Sequence, residues 1–157
     1  VVYNMIPVRQ GVSLFVMRDD GKLLAIARRD NPNSWGLVGG KVDPGETLEA
    51  AIERESFEEA GLIISSCTPI FTSFVPSRSR AGVSYLNTTF IADVKNDPSP
   101  QVGEPRLAWV QPQTLIYMTS YRSYNERLFV HLGLDSRPPF ASGYIDVALM
   151  QDSIEAI

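Results

Sequence analysis

Apolar residues run along Val12–Met17 and again along Leu23–Ala27, which predicts two strands. Between them lies Arg18-Asp19-Asp20-Gly21-Lys22, whose Asp-Gly pair is a strong hairpin signal. A polar loop from Arg28 to Ser34 leads into a glycine-rich passage, Trp35-Gly36-Leu37-Val38-Gly39-Gly40. Asp43-Pro44-Gly45 is turn chemistry, Thr47 is a good N-cap, and helical periodicity then holds from Leu48 to Ala60, with Gly61 as a left-handed stop. Strand character returns at Leu62–Ile64, Pro69–Val75, Val83–Val94 and Leu107–Val110. Ser77–Gly82 forms a basic loop, and Asn96–Pro105 a proline-rich one. Gln113–Met118 and Tyr121–Leu132 read as a short and a longer helix. Strands interleaved with helices predict an α/β fold, a mixed sheet with helices packed on it.

The helix at Leu48–Ala60 departs from ordinary patterning. Leu48, Ala51 and Ile52 form an apolar stripe, and the same spacing continues it onto Glu55, Glu58 and Glu59. These acids stand at i, i+3 and i+4, where each like-charge contact costs about 0.2–0.5 kcal/mol. They also lie in the C-terminal half of the helix, where the dipole disfavours anions. A solvated charged face is the plain alternative, but it belongs opposite the apolar stripe. Local physics violated twice within one turn marks a functional site.

A divalent cation would relieve both faults. With one cysteine (Cys67) and one histidine (His131) in 157 residues, disulfide frameworks within the chain and multi-cysteine or two-histidine metal sites are excluded. Clustered oxygen ligands favour Mg²⁺, with Mn²⁺ able to substitute, over Zn²⁺. Magnesium usually binds through one or two carboxylates together with substrate phosphates, which points to a phosphorylated substrate. Arg54, beside Glu55, is either an orienting partner for a carboxylate or an exposed helix arginine.

At these residues the chain resembles the Nudix hydrolase family. The family's box maps onto Gly40, Glu46, Arg54-Glu55, Glu58-Glu59, Gly61 and Leu62, with every charged and glycine position in register. Ser56 departs by standing where an aliphatic residue is usual, and Val38 replaces a frequent proline. The resemblance implies an α/β/α sandwich and hydrolysis of a nucleoside diphosphate linked to another moiety, by water attacking phosphorus. It implies Glu58 and Glu59 as metal ligands together with the Gly39 carbonyl, and Glu55 as general base or a further ligand. Glu46 and Arg54 would hold loop and helix together. Glu104, shortly before Trp109, stands where some members place an extra acid that binds metal or acts as base.

Arg28, Arg29 and Lys41 flank the expected site and suit phosphate contacts. Trp35, Phe74 and Tyr85 are either base-stacking aromatics or core, and His131 is expected to be structural. No Walker A loop is present, because Trp35 occupies its first glycine position and Val42 follows Lys41. Pro76 lies near the proline associated with ADP-ribose hydrolysis, and the motifs for dinucleoside polyphosphates and NADH are unmatched. A (deoxy)nucleoside triphosphate is the favoured substrate. ADP-ribose, a nucleotide sugar and a non-catalytic nucleotide sensor are the alternatives.

Length and 44% apolar content suit one domain, expected over residues 1–134, with an extension at 135–157 that adds an edge element, covers a site or contacts another subunit. Eighteen acids against 14 bases give a net charge of −4, which argues against long nucleic acid held on a basic face. The sequence lacks any run of about 18 apolar residues, so no membrane partner is expected. Without a charged start and an apolar run at Val1–Gln10, a cytoplasmic setting is expected. Many Nudix members are dimers, so a homodimer is the assembly to test.

Overall fold

The turn at Asp20-Gly21 forms, with Arg18 N–H donating to the Lys22 carbonyl and Gly21 at φ 87°. The strands beside it do not pair as a simple hairpin. A computed structural model describes residues 8–76, 82–136 and 146–157 of the chain. In it β1 (Val8–Leu14) and β2 (Leu23–Ala27) lie in different four-stranded sheets and meet only near the turn, at a bridge between Met17 and Leu23. The reason is burial on two sides. All five residues of β2 are buried, alternating between two cores, and a strand wanted by both cannot stay alongside β1.

One sheet has the order β4-β1-β6-β5, comprising β4 (Val38–Lys41), β6 (Ser84–Val94) and β5 (Ile64–Val75) beside β1. Its β1–β6 pair is parallel and its other pairs antiparallel, so the sheet is mixed as expected. The second has the order β3-β2-β7-β8, with β3 (Trp35–Gly36), β7 (Leu107–Val110) and β8 (Glu155–Ala156). The segments predicted at Leu62–Ile64 and Pro69–Val75 prove to be one strand, β5, irregular in register between Ile64 and Ser66 and between Pro69 and Phe71. Serine and proline at those steps obscured its continuity in the sequence.

Helix α1 (Leu48–Ala60) packs on the first core with Val12, Leu14, Ile52 and Phe90. Helices α2 (Thr114–Tyr117) and α3 (Arg122–Leu132) cover the second, where Trp35, Leu115, Leu128 and Phe129 are buried. The result is an α/β/α sandwich. The basic loop expected at Ser77–Gly82 lies outside the described residues over 77–81. His131 packs its ring 5.2 Å from that of Phe71.

The last residues return to the sheets. After α4 (Val147–Asp152), β8 pairs antiparallel with β7, and Ile157 N–H donates to the Leu107 carbonyl. Arg18 grips Glu155 through two hydrogen bonds of 2.9 and 2.7 Å, and Lys22 reaches the Ser153 carbonyl at 3.0 Å. Of the roles left open for the tail, an edge element is the one seen.

Candidate active site

Helix α1 starts and stops where its sequence dictates. The Thr47 hydroxyl accepts from Ala50 N–H at 3.1 Å, and Gly61 takes φ 64° while capping the Phe57 and Ser56 carbonyls. Its buried face is Ala51, Ile52, Ser56 and Ala60 rather than a direct run into all three acids. Each residue turns the helix by about 100°, so Glu59 falls near Ile52 around the axis while Glu58 falls about 120° away. Glu55 and Glu59 are therefore half-buried and Glu58 is exposed, which corrects the expectation that the three share the core-facing stripe. Ser56 occupies the fully buried position, and its hydroxyl has no hydrogen-bond partner among the described residues.

Arg54 joins the helix to the loop before it. Its guanidinium donates to both Glu46 oxygens at 2.8 and 2.9 Å and to the Lys41 carbonyl at 2.9 Å. It also donates to Glu55 at 2.9 Å and to Glu58 at 3.3 Å. These bonds hold the Glu46 carboxyl down at about 2. Glu55 behaves differently. Burial raises its pKa, with Glu58 and Asp43 adding repulsion, and the Arg54 bond only partly opposes them.

Glu59 carries the largest upward shift of any acid in the site. Burial pushes its pKa up to about 8, helped by the charges of Glu55 and Glu104, while a 2.7 Å bond from Gly39 N–H pulls the other way. The two glycines beneath are sterically required. A Cβ at Gly39 would lie 2.0 Å from the Val12 carbonyl oxygen, and one at Gly40 would lie 2.5 Å from the Glu55 carboxyl. Backbone and acids thus approach more closely than any other residue type would allow. Glu104 enters from the loop before β7 and shares with Glu59 a cleft of about 420 Å³.

This oxygen-only set fits a hard divalent cation. Half-buried acids that repel one another beside a backbone floor carry more negative charge than Arg54 and Arg29 balance, and a divalent cation would balance the remainder. Among the described residues no three acidic, cysteine or histidine side chains stand preassembled as a cage. Each acid is instead held by a protein partner, Glu55 and Glu58 by Arg54, Glu59 by Gly39 and Glu104 by Arg29.

A second cleft of about 550 Å³ shares Arg28, Leu37, Gly39 and Tyr121 with the first. It brings in Lys41, Tyr85 and Pro76. Arg28 stands at the junction, but Asp30 takes two of its donors and the Tyr121 hydroxyl a third, so it is a fixed post rather than an open phosphate grip. Arg29 is exposed at the acidic cleft, bonded to Glu104 at 2.9 Å and to the Gly103 carbonyl at 2.8 Å.

Trp35 corrects the sequence reading. It is buried to 2% exposure in the second core and lines neither cleft, standing opposite the small side chain of Ala27 on β2. Phe74 is exposed and likewise lines neither cleft. Sequence reasoning missed Leu37, Asn87, Tyr121 and Tyr124 as cleft residues. The alternation Tyr85, Asn87, Thr89 along one face of β6 was the available signal, since polar residues on one face of a central strand need a reason.

The NUDIX domain model matches residues 7–131. An ADP-ribose pyrophosphatase of Methanocaldococcus jannaschii is 39% identical over 83 residues, covering 50% of this chain and 47% of that protein. The nucleoside triphosphatase NudI of Salmonella agona is 43% identical over 60 residues, 34% of this chain and 43% of that one. The matched stretches thus span less than half the length of these relatives. The crystal structure of the MutT NUDIX hydrolase from Burkholderia pseudomallei superposes with TM-score 0.65 and 26% identity, covering 77% of this chain and 98% of that one. With the box acids gathered at the glycine floor and the family model matched over most of the length, this chain belongs to the NUDIX hydrolase family.

Proposed function

We propose that this protein is a Mg²⁺-dependent pyrophosphohydrolase acting on a nucleoside diphosphate linked to another moiety, with a (deoxy)nucleoside triphosphate as the favoured substrate. The observation that carries the reading is the shared wall of the two clefts, which sets a roomy, partly aromatic pocket directly against the electrostatically strained acids. A nucleoside in the larger cleft would lead its phosphates past Gly39 toward Glu59 and Glu104. The metal would be held by Glu59, Glu58, Glu55 and Glu104 with the Gly39 carbonyl, and when bound it neutralises charge on the phosphoryl group. Glu55, raised by burial and oriented by Arg54, is suited to take the proton of the attacking water. Arg29 and Lys41 stand where phosphate oxygens would pass. ADP-ribose is the second candidate, supported by the archaeal relative and by Pro76 in the larger cleft.

The test is turnover of nucleoside triphosphates, ADP-ribose, nucleotide sugars and dinucleotides with Mg²⁺ or Mn²⁺. Metal-dependent hydrolysis that Glu55→Gln lowers by about 10²–10⁴-fold is the expected result. Tight binding of one compound without turnover of any would make the protein a nucleotide sensor instead.

A further inference from the structure

The floor of the larger cleft carries a closed ring of hydrogen bonds that the proposed hydrolysis does not use. Asn87 Nδ2 donates to Ser13 Oγ at 3.0 Å, Ser13 and Thr89 hydroxyls are 2.8 Å apart, and Thr89 lies 2.6 Å from the Tyr124 hydroxyl. Tyr124 closes the ring by donating to the backbone carbonyl of Asn87 at 3.2 Å. Each hydroxyl has a single proton, so with Asn87 Nδ2 and Tyr124 as donors the direction of the two hydroxyl–hydroxyl bonds follows. Tyr124 gives its proton to Asn87 and must accept from Thr89. Thr89 must then accept from Ser13, whose oxygen accepts from Asn87. Three nearly buried hydroxyls are thereby satisfied, and none keeps a proton to offer a ligand.

The ring has one consequence at the cleft surface. With Nδ2 committed to Ser13, the Asn87 amide is locked, and its Oδ1 has no partner among the described residues. That oxygen lies beside Gly11, where a Cβ would sit 2.9 Å from it and 3.7 Å from Tyr85 Cδ1. Glycine at position 11 therefore leaves the acceptor uncovered, next to an aromatic ring, on the wall of the cleft. Turning the amide over to present a donor would put Oδ1 on Ser13 and force all three hydroxyl protons to reverse, at the loss of the Tyr124 bond to the Asn87 carbonyl. A locked acceptor beside an aromatic face selects a flat ligand carrying an N–H donor.

We propose that Asn87 Oδ1, held by the Ser13–Thr89–Tyr124 ring and exposed by Gly11, is a specificity-determining group that selects nucleoside phosphates whose base presents an N–H donor. This rests on the nucleotide reading above and names the feature of the base that the cleft reads. A base with an amino or lactam N–H satisfies the acceptor, and a base lacking one leaves it stripped of water and unpaired.

The experiment compares ATP and GTP with the triphosphate of unsubstituted purine riboside, whose base has no N–H. Both kcat/KM and equilibrium binding are measured on the full chain. The better of the two natural nucleotides is expected to be preferred over the unsubstituted one by about 10–100-fold. Asn87→Leu should bring that ratio close to one. Gly11→Ala, whose Cβ would crowd the acceptor at 2.9 Å, should do the same, so a folding defect in one variant does not decide the matter. Tyr124→Phe should lower the ratio while Asn87 is still present, because the amide is no longer locked. Equal affinity and equal turnover for all three nucleotides in the unaltered protein would overturn the inference while leaving the hydrolase reading intact. A ratio that neither Asn87→Leu nor Gly11→Ala moved would also overturn it. Absent turnover with a retained binding preference would sink the hydrolase reading and support this one.

Discussion

Two arginines each gather acids in this molecule, and they do opposite things. Arg18, at the turn after β1, holds Asp20 and Glu155, and both carboxyls are pulled down to about 2. Arg54, on α1, holds Glu46 at about 2 in the same manner, but Glu55 beside it stays raised and Glu59 beyond its reach climbs to about 8. At the tail the charges balance in open solvent. At the helix more acids are brought together than one guanidinium can satisfy, and they are half-buried as well. The sign of the shift separates a latch from a site: a satisfied acid holds structure together, and an unsatisfied one waits for a partner.

The largest effect expected from breaking this contrast is at Glu59. Glu59→Gln should lower metal-dependent hydrolysis by about 10²–10⁴-fold and, above about pH 8 where Glu59 is ionised, remove the repulsion with Glu55 and Glu104, so there activity and stability move in opposite directions. Steady-state rates and thermal melts of the same sample check it.

The pH dependence sharpens the same point. The folded pKa of Glu59 lies above its ordinary 4.5, so between pH 4.5 and about 8 the folded state binds the extra proton. Stability of the metal-free protein should therefore fall as pH rises through that window, and the slope there should be absent in Glu59→Gln. Adding Mg²⁺ should raise the melting temperature most at the alkaline end. A melt series with and without metal reads this directly.

Arg54→Ala comes next. Arg54 positions Glu55 and ties α1 to Glu46 and the Lys41 carbonyl, so its loss should cost about 10–100-fold in activity or metal affinity. Titration of activity against Mg²⁺ concentration distinguishes the two.

Ser56→Ala should stabilise the protein by about 1 kcal/mol, because the buried hydroxyl has no partner and its desolvation is uncompensated. Denaturant unfolding measures it, and an unchanged midpoint would show that the hydroxyl is satisfied.

The smallest effect belongs to the latch. The folded pKa of Glu155 lies below its ordinary 4.5, so its contribution is present above pH 4.5 and is lost as pH falls toward 2. That is the reverse of Glu59. Glu155→Gln should flatten this acid limb slightly and loosen β8, which hydrogen exchange at Trp109 and Ala108 would report. Both groups of the latch reach solvent, Arg18 at 32% and Glu155 at 50% exposure, so little change in overall stability is expected.

Much of the site was legible from the chain because it is local. The acids, Arg54 and the glycine pair lie within one loop and one helix, where spacing alone sets proximity. Thr47 and Gly61 mark the limits of α1 for the same reason, since capping is read from neighbours in sequence. The hairpin was legible only as a turn: Asp20-Gly21 makes its bend, but nothing local reveals that β2 is claimed by two cores. Trp35 shows where local reading stops, an aromatic beside a glycine passage left open between stacking and core, which long-range packing assigns to the core.

The sequence by itself determined the family, the helix that carries the acids and the oxygen-rich chemistry they offer, because those rest on contacts a few residues apart. Only the tertiary structure decided that Glu104 joins Glu59 from a loop 45 positions later and that the last residues become an edge strand. It also decided which atom of the Asn87 amide lies beside Gly11 and which bonds Ser13. These depend on Gly39 against Val12, Ser13 against Thr89 and β8 against β7. Such pairings close long loops, and the free energy that selects them comes from burial across the whole fold, which no local pattern encodes.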